Sequence, residues 1–399
     1  MNRIYLDHAA TTPVKPEAFE QMKKYFINEY GNPSAIYQTG VSAQIAVSAS
    51  RRKISTLINA EPEEIIFTSG GTESDNWALR GALVPYIFAA KSKDDINGNK
   101  MICPHIIITE IEHHAILNTA EYLKKFGVEV TVVHVDSEGY VNPADIEHEI
   151  RKNTVLISVM MANNEIGTIE PVKEIGKIAH EHGILFHTDA VQAFGHIEID
   201  VRNTNIDLMS VSGHKFGGPK GTGFLYKSKK IKIENMIFGG GQEMGLRAGT
   251  ENVSGIVGMT AAAEISCGSI SRESERQRKL SDLFYKEIKK EIPFVYLNGP
   301  EISSPQRLPN NINIEFKDVL GESLLIMLDM NGIAASAGSA CTAGALEPSH
   351  VLSAIKVPEE EIMSSIRFTI GEENTKEELM QTVAVLKSAV QRLRSMNEK

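Results

Sequence analysis

A chain of 399 residues, 42% of them hydrophobic, exceeds one ordinary domain and is long enough for two cores, so two domains are expected. Lys and Arg total 41 against 51 for Asp and Glu, a formal charge of -10, and no basic run stands out, which argues against nucleic acid as a direct ligand. The amino terminus turns polar within a few residues and no apolar stretch approaches the roughly 20 residues that span a bilayer, so a cytoplasmic location is expected.

From about residue 60 to 230, short β-rich runs alternate with helical stretches. Ile65 to Phe67 precedes a helix from Glu73 to Leu83, His105 to Thr109 precedes Ala115 to Phe126, and Val128 to Val133 precedes Pro143 to Arg151. Val155 to Met160, a helix from Val172 to His182, and the runs Ile184 to His187 and Ile206 to Val211 continue the pattern. Repeated βα units with apolar strands predict an α/β core, a mostly parallel sheet covered by helices, with ligands bound beyond the carboxyl ends of the strands. Residues 90–104 are polar and read as a surface loop. After Gly239-Gly240-Gly241 come a long helical stretch from Asn252 to about Glu291, the runs Ile312 to Phe316 and Leu324 to Met330, and a charged helix from Lys376 to Met396. That shift marks a second, smaller α+β domain.

The strand ends, in order, are Ser69-Gly70-Gly71-Thr72-Glu73, Glu112-His113, Asn163-Asn164, Asp189-Ala190-Val191-Gln192 and Ser212-Gly213-His214-Lys215. Lys215 sits where an apolar run stops at small residues. It reads either as a solvated loop lysine or as an amine that forms Schiff bases. Gly70-Gly71-Thr72 opens a helix and suits a phosphate, although an ordinary cap at Thr72 explains it too. Asp189 can pair with a protonated ring nitrogen or cap a helix, and His113 can be a ring wall or a core histidine. Taken together, these groups supply what pyridoxal phosphate needs: a lysine for the aldehyde, an acid for the pyridinium, donors for the phosphate and a wall for the ring. Lys220-Gly221-Thr222 is not the end of a P-loop, and the glycines at 239, 241 and 245 are misplaced for a dinucleotide site.

Three cysteines without a C-x-x-C pair exclude a disulfide framework or zinc ribbon, and the paired histidines are spaced poorly for a shared metal. Cys341 lies in a run of small residues, Ala335 to Ala345, which lacks the bulk to bury it, so it is expected to be reactive; Cys103 and Cys267 read as structural. Arg367 lies in an apolar, strand-like stretch. A clamp on a substrate carboxylate and a buried ion pair explain it equally.

These segments resemble the NifS/IscS-type cysteine desulfurases, class V members of the fold-type-I pyridoxal-phosphate enzymes. The resemblance runs from Tyr5-Leu6-Asp7-His8-Ala9-Ala10-Thr11-Thr12-Pro13 through Thr68 to Asn76, Asn163-Asn164-Glu165-Ile166-Gly167, the lysine segment, Arg247-Ala248-Gly249-Thr250 and the cysteine loop. It implies a mostly parallel seven-stranded sheet in a large domain over 16–258 and a small α+β domain from 1–15 plus 259–399, carrying a catalytic loop at about 334–348. Lys215 would carry the pyridoxal 5'-phosphate, His113 would stack on the ring and move protons, Asp189 would pair with the pyridinium and Gln192 would bond the phenolic oxygen. Gly71, Thr72, Ser212 and His214 would hold the phosphate, with Thr250 arriving from the other subunit of a homodimer. Asn164 and Arg367 would bind the carboxylate of L-cysteine, and Cys341 would take its sulfur as a persulfide for an iron–sulfur scaffold or tRNA-thiolation enzyme. An aminotransferase, or a selenocysteine or cysteine-sulfoxide lyase, would keep the cofactor without needing Cys341; a catalytically dead docking protein would need neither. Ala35 and Tyr37 stand where the family often has Ser and His, the 90–104 excursion is longer than usual, and the chain ends soon after Arg394, which leaves the acceptor's identity open.

Overall fold

The computed structural model describes residues 3–93, 103–337 and 348–397. In chain order its strands are β1 (Ile4–Tyr5), β2 (Ile65–Thr68), β3 (His105–Thr109), β4 (Glu129–Val133), β5 (Thr154–Ser158), β6 (Leu185–Asp189), β7 (Leu208–Ser212), β8 (Gly223–Lys227), β9 (Val295–Asn298), β10 (Asn311–Phe316), β11 (Ile333–Ala334) and β12 (Ser365–Thr369). Seven of them form one sheet in the order β2-β8-β7-β6-β5-β3-β4. Its strands run parallel except β8, which is antiparallel to both β2 and β7. Residues 213–222 are too few for the crossover of a dozen or more residues that a parallel return requires, so the chain turns back on itself.

Alternation along the strands sends side chains to two covered faces. Ile106 and Ile108 of β3 join Trp77, Leu79 and Ile116 in one core, while Ile107 joins Phe67, Ile157, Phe186 and Phe194 in the other. A third core lies under the antiparallel sheet β12-β10-β9, where Ile312, Ile314 and Phe316 meet Phe368, Phe284 and Leu386. The helix Val253–Glu291 spans two of these cores: Ile256 and Met259 pack in one, Phe284 and Ile288 in another. One 18-residue window of this helix is apolar enough to cross a membrane, which corrects the expectation that no stretch comes near; 56% of that window is buried within the protein, as in a core helix.

The chain's beginning is stitched to its end. β1 pairs with β11, and Thr369 N–H donates to the Leu6 carbonyl at 2.7 Å, after which residues 8–12 run across the lysine segment. Three further features differ from the sequence expectations. The helix that begins at Gly71 runs to Lys93, into the stretch read as a loop. β8 was hidden behind the turn signals of Lys220 to Gly223. The helices Pro16–Ile27 and Gln38–Leu57 precede the βα repeat and were not anticipated.

Candidate active site

A cavity of about 300 Å³ opens beyond the carboxyl ends of the parallel strands, and Gly71, Thr72, His113, Asn164, Asp189, Gln192, Ser212, His214, Lys215 and Arg367 all line it. The sheet explains the convergence: β6 ends at Asp189 and β7 at Ser212, and their parallel register brings those termini side by side. Lys215 follows β7 on a single 3-10 turn, Gly213–Lys215. Its Nζ donates to the carbonyls of Ala9 at 2.6 Å and Ala10 at 2.9 Å, so the stitched amino-terminal segment holds the amine over the cavity. Gln192 Nε2 donates to the same Ala9 carbonyl at 3.0 Å.

At the glycine turn after β2, Gly71 starts the helix that runs to Lys93. A Cβ on Gly71 would lie 2.6 Å from Val191 Cγ2, so only glycine lets the helix terminus approach the strand-end loop this closely. Glu73 accepts the Ser69 N–H at 2.8 Å and is paired in two-point contact with Arg247, which holds its carboxyl below the usual range against the opposing effect of burial. His214 Nδ1 lies 3.1 Å from Thr11 Oγ1, and burial, then Lys215 and Lys220, push its imidazole down to about 4.

His113 caps the helix His114–Lys124 by accepting the Ala115 N–H on Nδ1 at 3.1 Å, which fixes the ring at the cavity wall. Burial first, then Lys215, lowers it to about 4, so the ring is neutral at pH 7. Asp189 accepts the Val191 N–H at 2.8 Å; burial raises its carboxyl to about 6, opposed by that hydrogen bond and by Lys215. Arg367 is buried, donates to Asp7 Oδ1 at 2.8 Å and the Asn164 carbonyl at 3.0 Å, and still lines the cavity. Of the two sequence readings of Arg367, the buried ion pair is present, with Asp7, and the guanidinium also lines the cavity.

Thr250 is exposed and does not line this cavity of its own chain. Cys341 lies outside the described residues, while the residues just before them are tied to the site: Ser336 exchanges backbone hydrogen bonds with Arg367. Burial raises the Cys267 thiol to about 11, which suits a structural cysteine.

Sequence reasoning missed Asp7, 360 residues from its partner Arg367, and the buried carboxylate Asp75; Glu112, placed at a strand end from the sequence, is buried but does not line the cavity. Asp75 had a signal. It stands three and four residues before the buried Ala78 and Leu79, on the inward stripe of its helix. Asp75, His113 and Asp189 bring one polar atom each within 4.8 Å of one another. The whole arrangement offers an amine, a carboxylate, an anion cradle, a neutral imidazole wall and a guanidinium around one space.

Comparison with known proteins places the chain in a family. Residues 4–381 match the aminotransferase class-V family, and the chain belongs to it. The chain is 49% identical over 394 residues to the cysteine desulfurase IscS of Dictyoglomus turgidum, with 99% of this chain and 96% of that protein covered. It is 48% identical to the one from Methanosarcina thermophila, covering 99% and 93%. Among solved structures, a NifS-like protein superposes with a TM-score of 0.88 at 33% identity, covering 98% of this chain and all of that one. SspA in complex with cysteine gives 0.78 at 34%, covering 92% and 98%. Within the class-V family, the chain is a member of the NifS/IscS cysteine desulfurases.

Proposed function

We propose that this cavity holds pyridoxal 5'-phosphate and takes sulfur from L-cysteine, releasing L-alanine and leaving a persulfide on Cys341. The observation that carries this reading is the convergence of Lys215, Asp189, His113, the Gly71-Thr72 turn and Arg367 on one space. The donor set fits the group: a buried carboxylate for the ring nitrogen, Gly71, Thr72, Ser212 and His214 for the phosphate, and Lys215 for the aldehyde. Thr250 of the partner subunit completes the phosphate site in a homodimer. When bound, pyridoxal phosphate supplies a ring that accepts the electron pair of a carbanion at the substrate α-carbon.

The chain's own residues do the rest. Arg367 and Asn164 hold the substrate carboxylate and orient the α-carbon toward Lys215, whose amine moves the α-proton. Neutral His113 would wall the ring of the bound group, and Gln192 would bond its phenolic oxygen. Cys341 attacks as a thiolate: a sulfur–sulfur bond forms, the substrate carbon–sulfur bond breaks, and its electron pair stays on the carbon side, where protonation yields alanine. The persulfide then passes to an acceptor protein of iron–sulfur cluster assembly or tRNA thiolation, with the work done in the cytoplasm. Cys341→Ala is expected to keep the visible absorption of the bound cofactor and lose sulfide release from L-cysteine. Sustained turnover in that variant rejects the persulfide route.

A further inference from the structure

Asp75 lines the same cavity, is 1% exposed, and its Oδ1 has no hydrogen-bond partner. The groups facing it come from four elements. Asp189 and His187 belong to β6, Ser210 to β7, Glu112 and His113 to the loop after β3, and Lys215 to the turn after β7. His187 Nε2 is 3.7 Å from Asp75 Oδ1, which would make an ion pair only with a protonated ring. That ring is flanked by Ser158 Oγ at 2.8 Å and Ser210 Oγ at 3.0 Å, and burial keeps it neutral by lowering it to about 3.

Two carboxylates this close and this deeply buried cannot both ionise. Asp189 has the Val191 N–H and the charge of Lys215 to stabilise its anion. Asp75 has the Ser210 hydroxyl alone acting in that direction, while burial, Asp189 and Glu112 all disfavour its charge. The proton of the pair therefore resides on Asp75. Resting on the reading that pyridoxal phosphate occupies the cavity, we propose that Asp75 is a positioning residue: a neutral carboxylic acid beside Asp189, their nearest ligand atoms within 4.8 Å, that adds no second charge and leaves Asp189 as the single anion for the ring nitrogen.

The test uses the cofactor-loaded full chain and two variants, D75N and D75A, with a pH titration of the visible absorption and a cofactor dissociation constant. D75N keeps a neutral side chain of the same shape, so its titration midpoint and dissociation constant are expected to match the unaltered protein. D75A is neutral as well, and its titration midpoint is expected to stay in place too. A midpoint in D75N lower by about one unit or more would mean that Asp75 is ionised and overturns the proposal. Infrared difference spectra of the unaltered protein labelled with carboxyl-13C aspartate keep the proposal testable even if neither variant folds. A protonated aspartic carbonyl band supports it and its absence refutes it. Failure of the unaltered protein to develop any visible band with added cofactor would instead refute the reading beneath the proposal.

Discussion

Replacing Arg367 with lysine probes the proposed contact with the substrate carboxylate without stripping Asp7 of its counter-charge. In the structure, Nη2 donates to Asp7 Oδ1 at 2.8 Å, Nη1 donates to the Asn164 carbonyl at 3.0 Å, and Nε is buried without a partner. A lysine amine keeps the charge but cannot present a planar fork to Asp7, Asn164 and an incoming carboxylate at once. Loss of one hydrogen bond to a charged group costs about 1.5–3 kcal/mol, which corresponds to a roughly 10- to 150-fold rise in KM for L-cysteine. The assay is steady-state sulfide release against L-cysteine concentration, with the visible absorption and thermal midpoint recorded on the same preparation. KM is expected to rise while the cofactor band stays in place and kcat falls less. An unchanged KM would refute the reasoning, because Arg367 would then serve only its ion pair with Asp7.

Three further perturbations address the rest of the site. Lys215→Ala removes the amine held by the Ala9 and Ala10 carbonyls, and is expected to leave a folded protein whose cofactor borohydride no longer traps covalently, checked by the mass of the reduced protein. Gly71→Ala drives a methyl group to 2.6 Å from Val191 Cγ2 and is expected to weaken cofactor binding, with Val191→Ala in the same chain restoring part of it in a double-mutant cycle. Glu112 is raised to about 8 by burial against an ordinary value of 4.5. Its folded-state proton therefore contributes stability that is complete below pH 4.5 and lost as pH rises through about 8. Thermal midpoints of the cofactor-free protein across that range are expected to fall more steeply than those of Glu112→Gln, and equal slopes would contradict the buried acid.

The sheet was readable because its inner strands are buried on both faces and therefore appear as apolar runs, β3 being all isoleucine but for its ends. Site residues at strand ends were readable for the same reason: a run that stops at Asp189 or Ser212 announces its own carboxyl end. β8 was not, since Lys220 and Gly221 look like turn and the turn hides the strand it begins. Asp7 and Arg367 meet only because a bridge from Asp7 to Thr369 lays the segment after β1 beside β12, a tertiary pairing that no local pattern encodes. The carbonyls of Ala9 and Ala10 that hold Lys215 carry no side-chain signal at all. Asp75 was overlooked because a polar residue in a helix ordinarily faces water, whereas its position on the stripe of Ala78 and Leu79 turns it inward.

In the proposed reaction sulfur leaves L-cysteine onto Cys341. Mass spectrometry of the cofactor-loaded protein after one addition of L-cysteine, with alanine measured in the same sample, follows that transfer. One added sulfur is expected on the peptide containing Cys341, removed by a reductant, with alanine in equal amount. Alanine formed with no sulfur on Cys341, or sulfur carried by Cys103 or Cys267 instead, would contradict it.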